Sequence, residues 1–211
     1  FGIVMIQAAE RDVTLKSGGT IVVATGGNTW LALEMAASLK IPIINAGNGI
    51  GEHPTQAMTD LYTILKWRPS LCRQEVERSD RIRIGIIGVP SRMRTVRSLL
   101  QILSKFPQIV EEVVILHDPK ADPAETMFDA GQREALEQCG LKMRLATKLN
   151  DEVSAFDVTY INAIAWVGDG FEVHGDSFQL TADTPFKAGS IVLHPLARGR
   201  ELCSSLDQTP H

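Results

Sequence analysis

Cysteine is scarce in this chain. The three residues, Cys72, Cys139 and Cys203, are widely scattered and offer neither a paired framework nor a metal-ligand spacing. A disulfide scaffold is therefore not expected, nor is a metal or a cofactor, and a reducing, cytoplasmic setting is. There is no basic surplus: 21 Lys and Arg against 25 Asp and Glu leave a formal charge of −4. That balance gives no electrostatic footprint for nucleic acid or an anionic membrane. No apolar run approaches the ~18 residues needed to span a bilayer. Internal repeats and low-complexity segments are also missing. What is present, 211 residues at 44% hydrophobic and 22% charged, can bury a substantial core in one large or two small domains.

Strand-like apolar runs alternate with longer helical patterns, the signature of a parallel sheet covered by helices. Thr20–Thr25 reads as a buried strand, and Gly26, Gly27 and Asn28 turn it into a helix over residues 29–39. Ile41–Asn45 is a second strand, followed by a glycine-broken loop and a helix to about Trp67. Residues 68–80, with Pro69 and many charges, read as a connector. A second unit opens at Ile82–Ile87 and runs through a turn at 88–93 into a helix over Arg94–Phe106. Further strands are expected at Val113–Leu116, Leu141–Leu145, Asp157–Ile161 and Ile191–Leu193. A helix over Pro123–Gln138 lies among them, ended by Gly140. The pattern predicts an α/β fold of two doubly wound parallel-sheet domains, the first only partly present. The boundaries are 1–67 for the first domain with its linking helix, and 68–211 for the second.

Residues 45–62 are the most informative stretch. Gly47, Gly49 and Gly51 deliver His53, Pro54, Thr55 and Gln56 into the helix that follows. Glycine permits backbone angles closed to other residues and lets main chain approach a ligand, and proline suits the first helical turn. A helix N-terminus supplies unpaired N–H groups and partial positive charge. An imidazole, a hydroxyl and a carboxamide thus gather where a small electron-rich ligand would be bound. Farther on, Gly88-Val89-Pro90-Ser91-Arg92-Met93-Arg94 lacks both the G-x-G-x-x-G and the P-loop spacing, so it carries no nucleotide signature. Arg92 and Arg97 read as solvated surface charges.

The string Asn45-Ala46-Gly47-x-Gly49 with His53-Pro54-Thr55-Gln56 and Thr59-Asp60-Leu61-Tyr62-Thr63-Ile64 resembles the carbamoyl-phosphate signature of the aspartate and ornithine transcarbamoylases. Arg94-Thr95-Val96-x-Ser98-Leu99 resembles that family's carboxylate-gripping segment, and His194-Pro195-Leu196-Ala197-Arg198 its His-Pro-Leu-Pro-Arg segment. The likeness runs from about Ile21 to His211. It implies a homotrimer with sites shared between subunits and no metal. It further implies that His53 donates to the carbonyl of carbamoyl phosphate, that Gln56 orients the carbamoyl NH2 and that Arg94 docks an acceptor carboxylate. Arginine can do this through two parallel hydrogen bonds. Thr55, Pro195, Leu196, Arg198, Gly26 and Gly27 complete the implied binding set. The chain begins at Phe1 without a methionine. The family's Ser-Thr-Arg-Thr-Arg loop is expected upstream, and a closing helix after His211.

Three positions depart from the pattern. Ala24, Thr25, Gly26 and Gly27 stand where the family usually has an arginine, although a glycine pair can still bind an anion through backbone N–H groups. Asn162-Ala163-Ile164-Ala165-Trp166 is apolar where aspartate enzymes carry charge. Ala197 replaces a proline preceded by a cis bond, which for a non-proline residue costs ~3–4 kcal/mol. Since an unpartnered buried carboxylate costs several kcal/mol, aspartate is expected to be a poor acceptor. Three readings follow: a carbamoyltransferase with an aspartate-type or altered amine acceptor, a non-catalytic paralogue that regulates or scaffolds other transcarbamoylase-associated subunits, or a small-molecule sensor that uses the cleft for binding only.

Overall fold

The computed structural model describes residues 4–8, 11–14, 20–23, 43–48, 51–162, 176–195 and 198–208. Its centre is a five-stranded sheet in the order β7-β6-β5-β8-β9, in which every neighbouring pair is parallel. The strands are β5 (Ile82–Ile87), β6 (Val110–Leu116), β7 (Met143–Ala146), β8 (Val158–Ile161) and β9 (Ile191–Leu193). β5 (Ile-Arg-Ile-Gly-Ile-Ile) and β8 (Val-Thr-Tyr-Ile) are central and almost wholly buried. A composition dominated by β-branched residues suits a strand covered on both faces. The chain moves outward from β5 through β6 to β7, then returns to place β8 on the other side of β5. That reversal opens a crevice at the carboxyl ends of β5 and β8, where ligands of such sheets bind.

Two helices cover one face: α1 (Pro54–Trp67) and α2 (Arg94–Leu103). Alternation along β5 sends Ile82, Ile84 and Ile86 into a core shared with Val96, Leu99, Leu100 and Leu103 of α2 and with Leu61 and Ile64 of α1. The opposite face packs Ile87, Val114, Leu116 and Ile161 against Phe156, Phe178 and Leu180. α1 therefore stands on the sheet of residues 82–193 while its N-terminus approaches β4 (Ile43–Asn48). β4 pairs in parallel with β1 (Val4–Ala8), a strand not anticipated from sequence.

Several expectations need correction. Thr20–Val23 is a strand, β3, but its partner is β2 (Arg11–Thr14) and the pairing is antiparallel, so it stands outside the parallel sheet. The helix expected over 123–138 is broken into a turn at Ala124–Thr126 and α3 (Gln132–Gln138). The carbonyls of Thr126 and Met127, which a continuous helix would use, accept from Ser91 Oγ at 2.8 Å and Ser91 N at 3.0 Å. Gly131, at φ +73°, then starts α3 from a left-handed conformation. Among the described residues after β7 the one α-helix is the four-residue α4 (Leu149–Glu152). The helix expected over 29–39 lies outside the described residues. Among the described residues no helix is long and apolar enough to cross a membrane.

Candidate functional site

The site grows from the first turn of α1. Pro54 occupies the first helical position and His53 is the N-cap. The imidazole Nδ1 accepts from Gln56 N at 3.3 Å, and the Thr55 hydroxyl lies at the same distance. Because a backbone N–H can only donate, Nδ1 must be the acceptor, and the hydrogen-bond network assigns the neutral ring its proton on Nε2. Burial first, and the Arg94 charge second, hold the His53 pKa below its ordinary value. At neutral pH the ring is thus an uncharged donor through Nε2, while Nδ1 caps its own helix.

α2 fixes this turn from the side. His53 N donates to Ser98 Oγ at 2.8 Å, and the Ser98 hydroxyl donates in turn to the Glu52 carboxylate. Gln101 Nε2 also donates to Glu52, at 2.8 Å. Arg97 donates to Gly51 O at 3.1 Å, to Ser91 O, and to Asp129 Oδ2 at 3.0 Å. Its side chain is 16% exposed, so Arg97 is a loop clamp and not the solvated charge expected from sequence. Arg92 likewise pairs with the buried Asp122. Sequence reasoning missed these contacts because Asp122 lies 30 residues from Arg92, while Asp129 and Gly51 lie 32 and 46 residues from Arg97.

Arg94, the first residue of α2, meets His53 at Gly47. A Cβ built on Gly47 would lie 3.1 Å from Arg94 Nη1 and 3.2 Å from His53 Cδ2. The guanidinium and the imidazole therefore pack against the same bare glycine, whose φ of +123° is itself closed to most side chains. Gly47 N is tied to Asn45 Oδ1 at 2.9 Å. Next along α2, Thr95 is buried and receives Asn162 Nδ2 at 2.9 Å. Asn162 follows β8, which puts this group at the reversal between β5 and β8.

Gln56 bonds inward. Its Nε2 donates to Asp60 Oδ1 at 2.9 Å. Asp60 is buried, and burial pushes its carboxyl up to about 6, with Gln56 and Tyr160 acting in the opposite sense. Tyr160 of β8 faces it. Burial and then the Asp60 charge push the phenol well above its ordinary range. Neither Asp60 Oδ2 nor the Tyr160 hydroxyl has a hydrogen-bond partner of good geometry among the described residues, yet each still alters the other's ionisation. Asp60 was not singled out from sequence. The available signal was a carboxylate one helical turn after Gln56, on a stripe otherwise made of Ala57, Leu61 and Ile64.

Pro195 and Arg198 follow β9 and so lie at the same carboxyl rim of the sheet. Their segment is held by Glu201, also unnoticed in the sequence, which is buried and takes His194 Nε2 at 2.9 Å and Gly199 N at 2.5 Å. Burial first lowers the His194 pKa; Glu201 opposes that shift and Arg198 reinforces it. Of the expected site residues, His53, Thr55, Gln56 and Arg94 are thus brought together around Gly47 and α1. Leu196, Gly26 and Gly27 lie outside the described residues, as do Ala24, Ala163, Ala165, Trp166 and Ala197.

Comparison with known proteins follows the same lines. Residues 11–66 match the family model "Aspartate/ornithine carbamoyltransferase, carbamoyl-P binding domain". The aspartate carbamoyltransferase catalytic subunit of Methanococcus maripaludis is 32% identical over 205 residues, covering 90% of this chain and 62% of that protein. The corresponding subunit of Pyrobaculum islandicum is 34% identical over 191 residues, covering 88% of this chain and 57% of the relative. The chain thus spans about three-fifths of the length of these relatives. The crystal structure of aspartate transcarbamoylase from Trypanosoma cruzi in complex with carbamoyl aspartate and phosphate aligns with a TM-score of 0.63 at 29% identity, over 85% of this chain and 54% of that one. In sequence and in fold alike, the likeness is to the aspartate/ornithine carbamoyltransferase family.

Proposed function

We propose that this protein transfers the carbamoyl group of carbamoyl phosphate to the amine of an amino acid or related acceptor. The observation that carries this reading is the meeting of a neutral imidazole and a guanidinium over Gly47. A cation and a neutral donor on one glycine suit a reaction that joins a planar carbonyl to a carboxylate-bearing amine. In this reading the amine attacks the carbonyl carbon, oxygen takes on negative charge, and the bond to phosphate breaks as the departing phosphate takes up the proton the amine nitrogen loses. His53 Nε2–H stabilises that oxygen, and the lowered pKa keeps the ring an uncharged donor at neutral pH. Gln56 orients the carbamoyl NH2, and Arg94 holds the acceptor carboxylate through paired hydrogen bonds. Thr55 keeps the imidazole in its tautomer. Gly26 and Gly27 serve the phosphate through backbone N–H groups, Leu196 offers its backbone carbonyl, and Pro195 and Arg198 complete the binding set. No covalent intermediate is needed, because positioning and fixed dipoles supply the acceleration.

The same reading assigns residues 1–67 to the carbamoyl-phosphate half and 68–211 to the amino-acid half. It takes the working assembly to be a cytoplasmic homotrimer, with an acceptor pocket less polar than one for aspartate. The test is carbamoyl phosphate consumption with a panel of amino acids, for the intact protein and for His53→Ala. Removing one preorganised donor of this kind costs about 100-fold or more in turnover. Equal turnover in the variant removes His53 from the mechanism. A wild-type protein that consumes no carbamoyl phosphate with any acceptor favours the regulatory or scaffolding paralogue.

A further inference from the structure

The contact beneath Gln56 has no explanation in fold stability. Asp60 shares the inner stripe of α1 with Ala57, Leu61 and Ile64, and it is only 4% exposed. A leucine there would join the core and avoid the desolvation of a carboxyl group. Asp60 Oδ1 instead accepts from Gln56 Nε2 at 2.9 Å, and Oδ2 has no hydrogen-bond partner among the described residues. A local rule broken at the floor of a candidate site points to function.

A carboxamide has two unlike edges, one donating and one accepting, and a free glutamine can present either to a ligand. A carboxylate oxygen offers only an acceptor. Bonding to Asp60 therefore selects the orientation in which Nε2 faces inward and Oε1 faces the cleft. We propose that Asp60 is a positioning residue for Gln56, turning its carbonyl oxygen outward beside His53 to accept from the NH2 of a carbamoyl group. This inference rests on the carbamoyl-transfer reading and adds a specificity device to it. An acyl phosphate with a methyl group in place of NH2 cannot donate to Oε1, so Asp60 helps to separate carbamoyl from acetyl phosphate.

The experiment compares kcat/KM for carbamoyl phosphate and acetyl phosphate in the intact protein, in Asp60→Leu, Asp60→Asn and Gln56→Ala, and in Gln56→Ala combined with Asp60→Leu. Asp60→Leu lowers the carbamoyl value about tenfold, the worth of one oriented hydrogen bond, while the acetyl value stays within about twofold. Asp60→Asn keeps an acceptor oxygen and retains most of the preference. In the Gln56→Ala background, Asp60→Leu adds less than about twofold. A parallel fall for both acyl phosphates, or an undiminished cost of Asp60→Leu without Gln56, overturns the proposal. If the wild type consumes neither acyl phosphate, the transferase reading fails by itself. The Gln56 side-chain amide resonances of the ligand-free protein then decide the clamp: a shift with faster exchange in Asp60→Leu supports it, and unchanged resonances overturn it.

Discussion

Two carboxylates, each 4% exposed, lie near opposite ends of the same short strand. Asp157 precedes β8 and is surrounded by donors: Arg68 Nη2 at 2.9 Å, Lys187 Nζ at 2.6 Å and the backbone N–H of Arg83 at 2.9 Å. Burial works against its ionisation, but these three donors outweigh it and hold the carboxyl below its ordinary value. Asp60, against Tyr160 near the other end, has one neutral donor and is pushed up to about 6. Equal burial with opposite outcomes separates two purposes. The amino end of the strand satisfies its charge and ties α1 to the sheet; the carboxyl end leaves a charge short of partners, next to the residues that face a ligand.

The largest stability effect is expected at the satisfied end. Asp157→Ala strands two cations and one backbone donor, and should cost about 2–4 kcal/mol, the exposure of Lys187 moderating the loss. Chemical unfolding at neutral pH measures it. The pH sign follows from the depressed value. The folded state holds the ionised form, so the stabilisation is complete above the ordinary value of 3.8 and fades as pH falls through the lower folded value. The gap between wild type and Asp157→Asn should therefore close only in strong acid. A loss below about 1 kcal/mol in Asp157→Ala would place both carboxylates on the same footing and break the comparison.

Asp60 should respond with the opposite sign. Its folded value lies above the ordinary 3.8, so the contribution is fully present below that pH and is lost as pH rises through about 6. Asp60→Asn carries no charge to desolvate. It should match the wild type near pH 4 and exceed it at pH 8 by on the order of 1–3 kcal/mol. Thermal unfolding at the two pH values reads this directly. Destabilisation at pH 8 would make Asp60 a structural residue like Asp157. A gain in stability in Asp60→Asn, joined to the loss of carbamoyl preference in Asp60→Leu, is the signature of a group retained for function at the expense of the fold.

Local chemistry made much of this legible in the sequence. The β-branched run Ile82–Ile87 and the strand Ile191–Leu193 stand where composition placed them, and Pro54 opens α1 behind His53. Signals of that kind are contained in a few adjacent residues. What escaped notice depends on distant partners. The helix expected over 123–138 breaks because Ser91 claims its carbonyls. Arg97 leaves the surface because Gly51, 46 residues earlier, presents one. The β3 segment was legible as a strand, but its antiparallel partner was not. Asp60 sat in plain view within the signature, and only the burial of its helix face made it unusual.

The smallest effect sharpens the account of the satisfied end. Lys187 makes the shortest contact to Asp157 yet its side chain is 45% exposed, against 27% for Arg68. If contact distance governed stability, Lys187→Met would be the more damaging change. Water and salt screen the exposed ammonium, and its long stem loses rotamer freedom in the pair. Arg68 also stacks on Trp67 at 4.4 Å from the ring centroid, so its removal takes packing as well as charge. Lys187→Met should therefore cost about 0.5–1 kcal/mol, shrinking further in high salt, with Arg68→Met above it. A larger loss for Lys187 that salt leaves unchanged would mean that the Asp157 cluster depends on its exposed rim, and the contrast with Asp60 would then rest on the number of charges and not on buried hydrogen bonds.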